Sequence, residues 1–222
     1  MSALAALDAP QPQRLSDMVF VRLAQAIVQG ELAPGQSLRD QDLADQLGVS
    51  RMPVREALQR LERAGLIEMA ASRYTRVAEL TPERVRDTIE HAGYLYGSIV
   101  RLATQRMTDA ELARALELLQ GDIDAGADRH AYYEANRAFN EHMIETCGNA
   151  NFRYRSDLLY SVEWVIRQFS FAEYALVLRS QHERLARAME ARDADAAERI
   201  VREMYGVHGE HAAFLARLAP ES

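Results

Sequence analysis

The sequence predicts a mostly α chain in two parts, an N-terminal winged helix-turn-helix followed by an all-helical bundle of about six helices. Three observations carry the prediction. Between residues 15 and 64, apolar side chains recur at helical spacing in three short runs, each stopped by a glycine. Two four-residue stretches, Leu66-Ile67-Glu68-Met69 and Tyr74-Thr75-Arg76-Val77, then flank a tight loop at 70–73 and read as a hairpin. From residue 81 onward, amphipathic runs follow one another through short connections, the pattern of a bundle.

Taken in order, the first helix covers 15–30, with Val19, Leu23, Ala26 and Ile27 inward and Gly30 as its stop. Pro34-Gly35 is a turn. The second helix, 40–47, turns Leu43, Ala44 and Leu47 inward and stops at Gly48. Ser50 is placed to cap the third, 51–64. Pro53 falls in its first turn, where a missing N–H costs little. In the second half, Thr81-Pro82-Glu83 starts a helix, Thr108 to Glu111 forms a capping box, Gly148-Asn149 stops a helix and Asp193 caps another. The expected spans are 82–106, 109–125, 129–147, 150–170, 175–191 and 193–217. The domains follow: 1–13 a disordered tail, 14–78 the winged helix-turn-helix, and 81–219 the helical domain.

Charge narrows the function classes. The formal net charge of −7 excludes a uniformly basic coat, and all 26 basic residues are arginine. Within 51–76, however, six arginines face three glutamates, so positive charge gathers on the third helix and the hairpin. The single cysteine, Cys147, rules out an intrachain disulfide and fits a cytoplasmic setting. No apolar run approaches the ~18 residues of a membrane span, and residues 1–14 lack the features of a signal peptide.

The segment that carries chemistry runs from Leu43 to Leu58. Two helices meet across a turn containing Gly48, and the second opens with Ser50, Arg51 and Arg55. Arg51 and Arg55 are four apart and share a face. A helix presented in this way fits the major groove, and an arginine fork matches guanine O6 and N7 or a phosphate. The free N–H groups of the helix start favour phosphate as well.

These residues resemble the winged helix-turn-helix of the GntR family. The matching pieces are Ala26 to Gly30, Leu32-Ala33-Pro34-Gly35, Leu43-Ala44, Leu47 to Arg51, Pro53 to Leu58 and Leu61 to Leu66. The resemblance implies that Ser50, Arg51 and Arg55 contact the operator, with Gln41 in reach. On the hairpin the family carries Arg-Gly where this chain has Arg73-Tyr74, so Arg73 is the residue expected to act as the wing.

The second half resembles the FCD-type ligand domain of the FadR branch of that family, with six helices as in its VanR-like subgroup. Its anchors are Arg86 to Glu90, Phe139, Gly148-Asn149, His182-Glu183, Asp193 and Ala197. Many such domains hold a divalent metal with an Asp and a His four apart and two later histidines. Those positions fall here on Asn136, Asn140, His182 and Met204, a degenerate set, because neutral amides and a thioether are poor ligands for a divalent ion. No cofactor is expected; a shifted site through His182 and His208 is the one route left to a metal. The same four residues, with Arg86 and Arg167 as partners for a carboxylate, make the expected effector site. Tyr94, Tyr133, Trp164 and Tyr205 read as core aromatics, His91, His130 and His211 as surface residues, and Cys147 as a small buried apolar group.

The expected function is a transcriptional regulator, a repressor of metabolic genes, that binds a palindromic operator as a homodimer and responds to a small, anionic, organic-acid-type effector. Two alternatives stand beside it: an enzyme built on the helical bundle, which lacks any nucleophile–base pair or phosphate loop to support it, and a protein-interaction module with a vestigial DNA-binding head.

Overall fold

The computed structural model describes residues 13–70, 73–125, 128–167 and 171–207. The chain forms two compact units, Met1–Glu79 and Leu80–Ser222.

In the first unit, α1 (Gln13–Val28), α2 (Asp40–Leu47) and α3 (Arg51–Arg63) precede β1 (Ile67–Ala70) and β2 (Tyr74–Val77). The strands pair antiparallel, Ile67 opposite Val77 and Ala70 opposite Tyr74, and Ser37 bridges to Arg76 at the free edge. Phe20, Leu23 and Ile27 of α1 meet Val54, Leu58 and Leu61 of α3 in a core that Leu66, Ile67 and Val77 close. Arg60 fastens the same two helices, lying 3.9 Å over the Phe20 ring and 2.7 Å from Asp17. The turn between α2 and α3 needs Gly48, whose φ of 64° lies in the left-handed region, and Val49 N–H then closes on Ala44 C=O at 3.0 Å. Ser50 stands at the N-cap of α3, but its hydroxyl makes no capping bond, contrary to expectation. The first N–H groups of α3 are therefore not covered by that side chain.

The second unit contains α4 (Pro82–Arg106), α5 (Asp109–Ala125), α6 (Arg129–Thr146), a short 3-10 helix (Ala150–Arg155), α7 (Leu158–Ile166), α8 (Phe171–Glu190) and α9 (Ala194–Met204). The caps form as the sequence predicts. Thr81 accepts from Arg84 N–H, Thr108 and Glu111 exchange both bonds of the capping box, and Asp193 accepts from Ala196 N–H. The span expected as one helix at 150–170 is instead divided. The Asn149 side chain accepts from Asn151 N–H at 3.1 Å, so a local turn competes with helix and yields the 3-10 segment before α7. The last expected helix, 193–217, stops at Met204, where Gly206 adopts φ 67°; residues from 208 on lie outside the described ones.

α4 runs through the core, burying Val85, Ile89, Ala92, Tyr96, Ile99, Val100 and Ala103. Gly93 and Gly97 let α9 and the residues after it approach. A Cβ at Gly93 would collide with the side chains of Tyr205 and Val207, and one at Gly97 would stand 3.0 Å from Arg202 Cγ. Arg101 of α4 then ties down the start of α9 through Asp195 and Glu198. Among the described residues no helix is long and apolar enough to cross a membrane.

Candidate DNA-binding face and effector site

α3 sorts its side chains cleanly. Pro53, Val54, Ala57, Leu58 and Leu61 are buried, whereas Arg51, Met52, Arg55, Glu56 and Gln59 are exposed. Arg51 and Arg55 converge on Asp40 at the first position of α2. Asp40 Oδ2 accepts from Arg51 Nη2 at 2.8 Å and Nε at 3.3 Å, and from Arg55 Nε at 2.7 Å. The hydrogen bonds from Arg51, then from Arg55, hold the Asp40 carboxyl down at about 2. It therefore stays ionised and fixes both guanidinium groups on one side of α3. Arg55 makes this contact through Nε, and both arginine side chains remain about half exposed, 48% and 59%.

A groove of about 710 Å³ runs between this face and the hairpin, lined among others by Arg39, Gln41, Arg55, Gln59, Arg73 and Thr75. The expected site residues Gln41, Arg55 and Arg73 are thus brought to one groove, while Ser50 and Arg51 lie outside its lining, at the exposed start of α3. Gln41 donates to Asp45 at 2.8 Å. Arg73 sits at the hairpin tip, its N–H closing on Ala70 C=O at 2.9 Å. Tyr74 is 43% exposed, and Arg76 lies 4.8 Å over its ring while pairing with Glu68. The sequence reading missed Asp40 and Arg39; their only local signals are an acid at the start of α2 and a basic residue just before it.

Inside the second unit a polar cluster joins α5, α6 and α8. Asp122, 3% exposed, lies 3.3 Å from Asn136 Nδ2 and 4.0 Å from His182 Nε2. Asn140 donates to Asn136 Oδ1 at 3.1 Å and to its backbone carbonyl at 2.8 Å. His182 lies alongside the Tyr132 ring, 6.3 Å between centroids. Burial pushes the Asp122 carboxyl up to about 8, with the Asn136 bond opposing, and pushes His182 down to about 4. At neutral pH the Asp122–His182 contact therefore joins a protonated carboxyl to a neutral imidazole, not two opposite charges. Met204 is buried, and burial raises the Tyr205 hydroxyl above its ordinary range, with Asp122 adding to this once it ionises. Asp122 is the residue that sequence reasoning missed here.

One expected effector residue, Arg86, and one expected core aromatic, Tyr94, need correction. Arg86 projects from the outer face of α4, two-thirds exposed, with Asp87 at 3.3 Å; Val85 and Ile89 take the inward positions. Tyr94, expected in the core, is 42% exposed with Arg202 over its ring. Arg167 is largely covered and already occupied, gripping Glu163 through Nη2 at 3.0 Å and lying 4.6 Å over the Tyr133 ring. Arg137 holds the same Glu163. Two guanidinium groups thus share one carboxylate beside a cavity lined by Tyr132, Tyr133, Asn136, Arg137, Leu159 and Val162, among others. That cavity measures about 20 Å³, room for about one water molecule. Among the described residues no three His, Cys, Asp or Glu side chains converge as metal ligands would, and His208 lies outside the described residues.

Comparison with known proteins gives this geometry its context. The family model described as "Bacterial regulatory proteins, gntR family" matches residues 15–77, and the FCD domain model matches 87–206. The Nta operon transcriptional regulator of Aminobacter aminovorans is 31% identical over 151 residues, covering 64% of this chain and 71% of that one. The HTH-type transcriptional repressor NanR of Cronobacter sakazakii is 26% identical over 212 residues, covering 85% and 82%. Among solved structures, E. coli McbR/YncC superposes with a TM-score of 0.69 at 24% identity, covering 91% of this chain and 97% of that one. A GntR family member from Pseudomonas syringae has a TM-score of 0.50 at 23% identity, covering 94% and 88%. The chain therefore belongs to the GntR family and is a transcriptional regulator with an FCD domain, not an enzyme.

Proposed function

We propose that this regulator is a cytoplasmic repressor of metabolic genes, that it grips an inverted-repeat operator as a homodimer, and that an organic-acid effector loosens the grip. The observation that carries the reading is the opening of α3, where Arg51 and Arg55 stand half exposed on a surface that also presents an uncapped helix start. A positive helix N-terminus and two forked donors suit phosphates and guanine edges together. Arg73 and Gln41 flank the same face, placed to position the backbone rather than to read bases.

For the effector, the pair Arg137 and Arg167 against the single Glu163 leaves an excess positive charge beside Asn136. That balance suits a carboxylate, with Asn136, Asn140, His182 and Met204 as the deeper wall. A cavity of about 20 Å³ cannot hold such a molecule, so the acid must select a more open bundle. Its differential affinity for that state is what would shift the DNA-binding equilibrium.

The test is selection from a random duplex library by the full-length protein at low salt, followed by a panel of small carboxylic acids added to the complex. The reading expects enrichment of two inverted half-sites about one helical turn apart, and release by one or more acids. Unenriched, sequence-independent recovery overturns the operator claim. A tight complex that no acid in the panel alters overturns the effector claim.

A further inference from the structure

Met52 is 66% exposed in the first turn of α3, beside Arg51. It is the one apolar side chain that this helix leaves to solvent; the other exposed positions are Arg51, Arg55, Glu56, Gln59, Glu62 and Arg63. Its place around the axis is informative. At about 100° per residue, Pro53, Ala57, Leu61, Val54 and Leu58 sweep the buried arc in that order. Arg51 and Arg55 border the exposed arc on the side of α2, where Asp40 holds both. Glu56 and Arg63 form the opposite border. Met52 and Gln59 fall between the borders, on the line that leads furthest from the core. When this face enters a major groove, the arginines lean to one side and Met52 meets the floor.

Chemistry then limits what Met52 can recognise. A thioether offers a phosphate no donor, and against a bare carbonyl or amino group it would only remove water. The apolar feature on the major-groove floor is the C5 methyl of thymine. An unbranched, flexible side chain can follow that methyl without exact geometry. We infer that Met52 is a specificity-determining residue of this regulator, packing on the C5 methyl of a thymine next to the base pairs gripped by Arg51 and Arg55. The inference rests on the DNA reading above and adds to it a defined base.

The experiment uses the full-length protein and the duplex it selects, synthesised with deoxyuridine in place of each half-site thymine in turn. This exchange removes the methyl alone. The library carries no 5-methylcytosine, which has the same methyl, so thymine is its only source. At one thymine per half-site the parent is expected to lose about fourfold in affinity for each methyl removed, the worth of one buried methyl group. Met52→Ala should bind the thymine and deoxyuridine duplexes equally, with its salt dependence unchanged, and Met52→Leu should keep the parent's preference. Because the side chain is exposed, neither variant threatens the fold. A parent indifferent to deoxyuridine at every position overturns the inference while leaving the DNA reading intact. A Met52→Ala variant with the parent's thymine preference does the same. Absence of any selected duplex overturns both.

Discussion

Alanine in place of Arg55 is expected to weaken operator binding by roughly 30- to 25,000-fold, with Arg51→Ala in the same range. A bidentate arginine contact carries about 1–3 kcal/mol of discrimination, and a two-fold symmetric dimer loses it twice. The contact with Asp40 does not change this ranking. It is an ion pair in which both arginines are about half exposed, and such pairs contribute about 0–1 kcal/mol. A guanine or phosphate therefore outcompetes Asp40 or shares the arginines with it. If Arg51 and Arg55 bind DNA as proposed, Asp40 would aim the forks before DNA arrives and so lower the ordering cost of binding. Because both arginines lie on the exposed face, thermal stability of the variants should stay within about 0.5 kcal/mol of the parent. Equilibrium titration of a labelled duplex, with a melt on each protein, separates lost contact from lost fold.

The second large effect concerns Asp122. In the folded chain burial holds its carboxyl up at about 8, whereas in the unfolded chain it ionises near 4. Between those values the unfolded state binds fewer protons, so stability falls as pH rises through about 4 to 8. His182, pushed down to about 4 from an ordinary value near 6.5, has the opposite slope: it costs stability as pH falls from about 6.5 to 4. The two nearly cancel below about pH 6.5, and the Asp122 cost stands alone above it. Asp122→Asn keeps a partner for Asn136 and removes the ionisation. It should stabilise the protein by a few kcal/mol near pH 8, on the order expected from a shift of that size, and by much less near pH 5. Denaturant unfolding of both proteins across this range checks the prediction. Parallel pH profiles for parent and variant would show that Asp122 is not a neutral buried acid in solution.

Much of this architecture is legible locally. Gly48 with the apolar positions around it defines the helix-turn-helix, and the Thr108–Glu111 box marks the start of α5, because each depends on residues within one turn of the chain. What could not be read depends on distance in sequence. Asp40 meets arginines 11 and 15 residues away, a contact that exists only once Gly48 folds α2 against α3. Asp122 looks like any solvated acid on an amphipathic helix until α6 and α8 close over it. Arg86 failed as an effector residue by one position of helical phase, since the neighbouring Val85 takes the inward direction. The 150–170 span failed because Asn149 satisfies a backbone N–H that a helix would otherwise use. Asn136, Asn140 and His182 do come together as the family resemblance implies, with an acid among them that the resemblance did not supply.

The central claim is that the face opened by Arg51 and Arg55 binds duplex DNA, and the salt dependence of binding tests it most directly. Full-length protein and its selected duplex are titrated at salt concentrations from about 50 to 200 mM, the range over which phosphate contacts reveal themselves. The account predicts a straight fall of log K with log salt, with a slope of about −4 or steeper from several neutralised phosphates in each half-site, and a shallower slope for Arg51→Ala. Binding that is absent at the lowest salt, or indifferent to salt throughout, would contradict it.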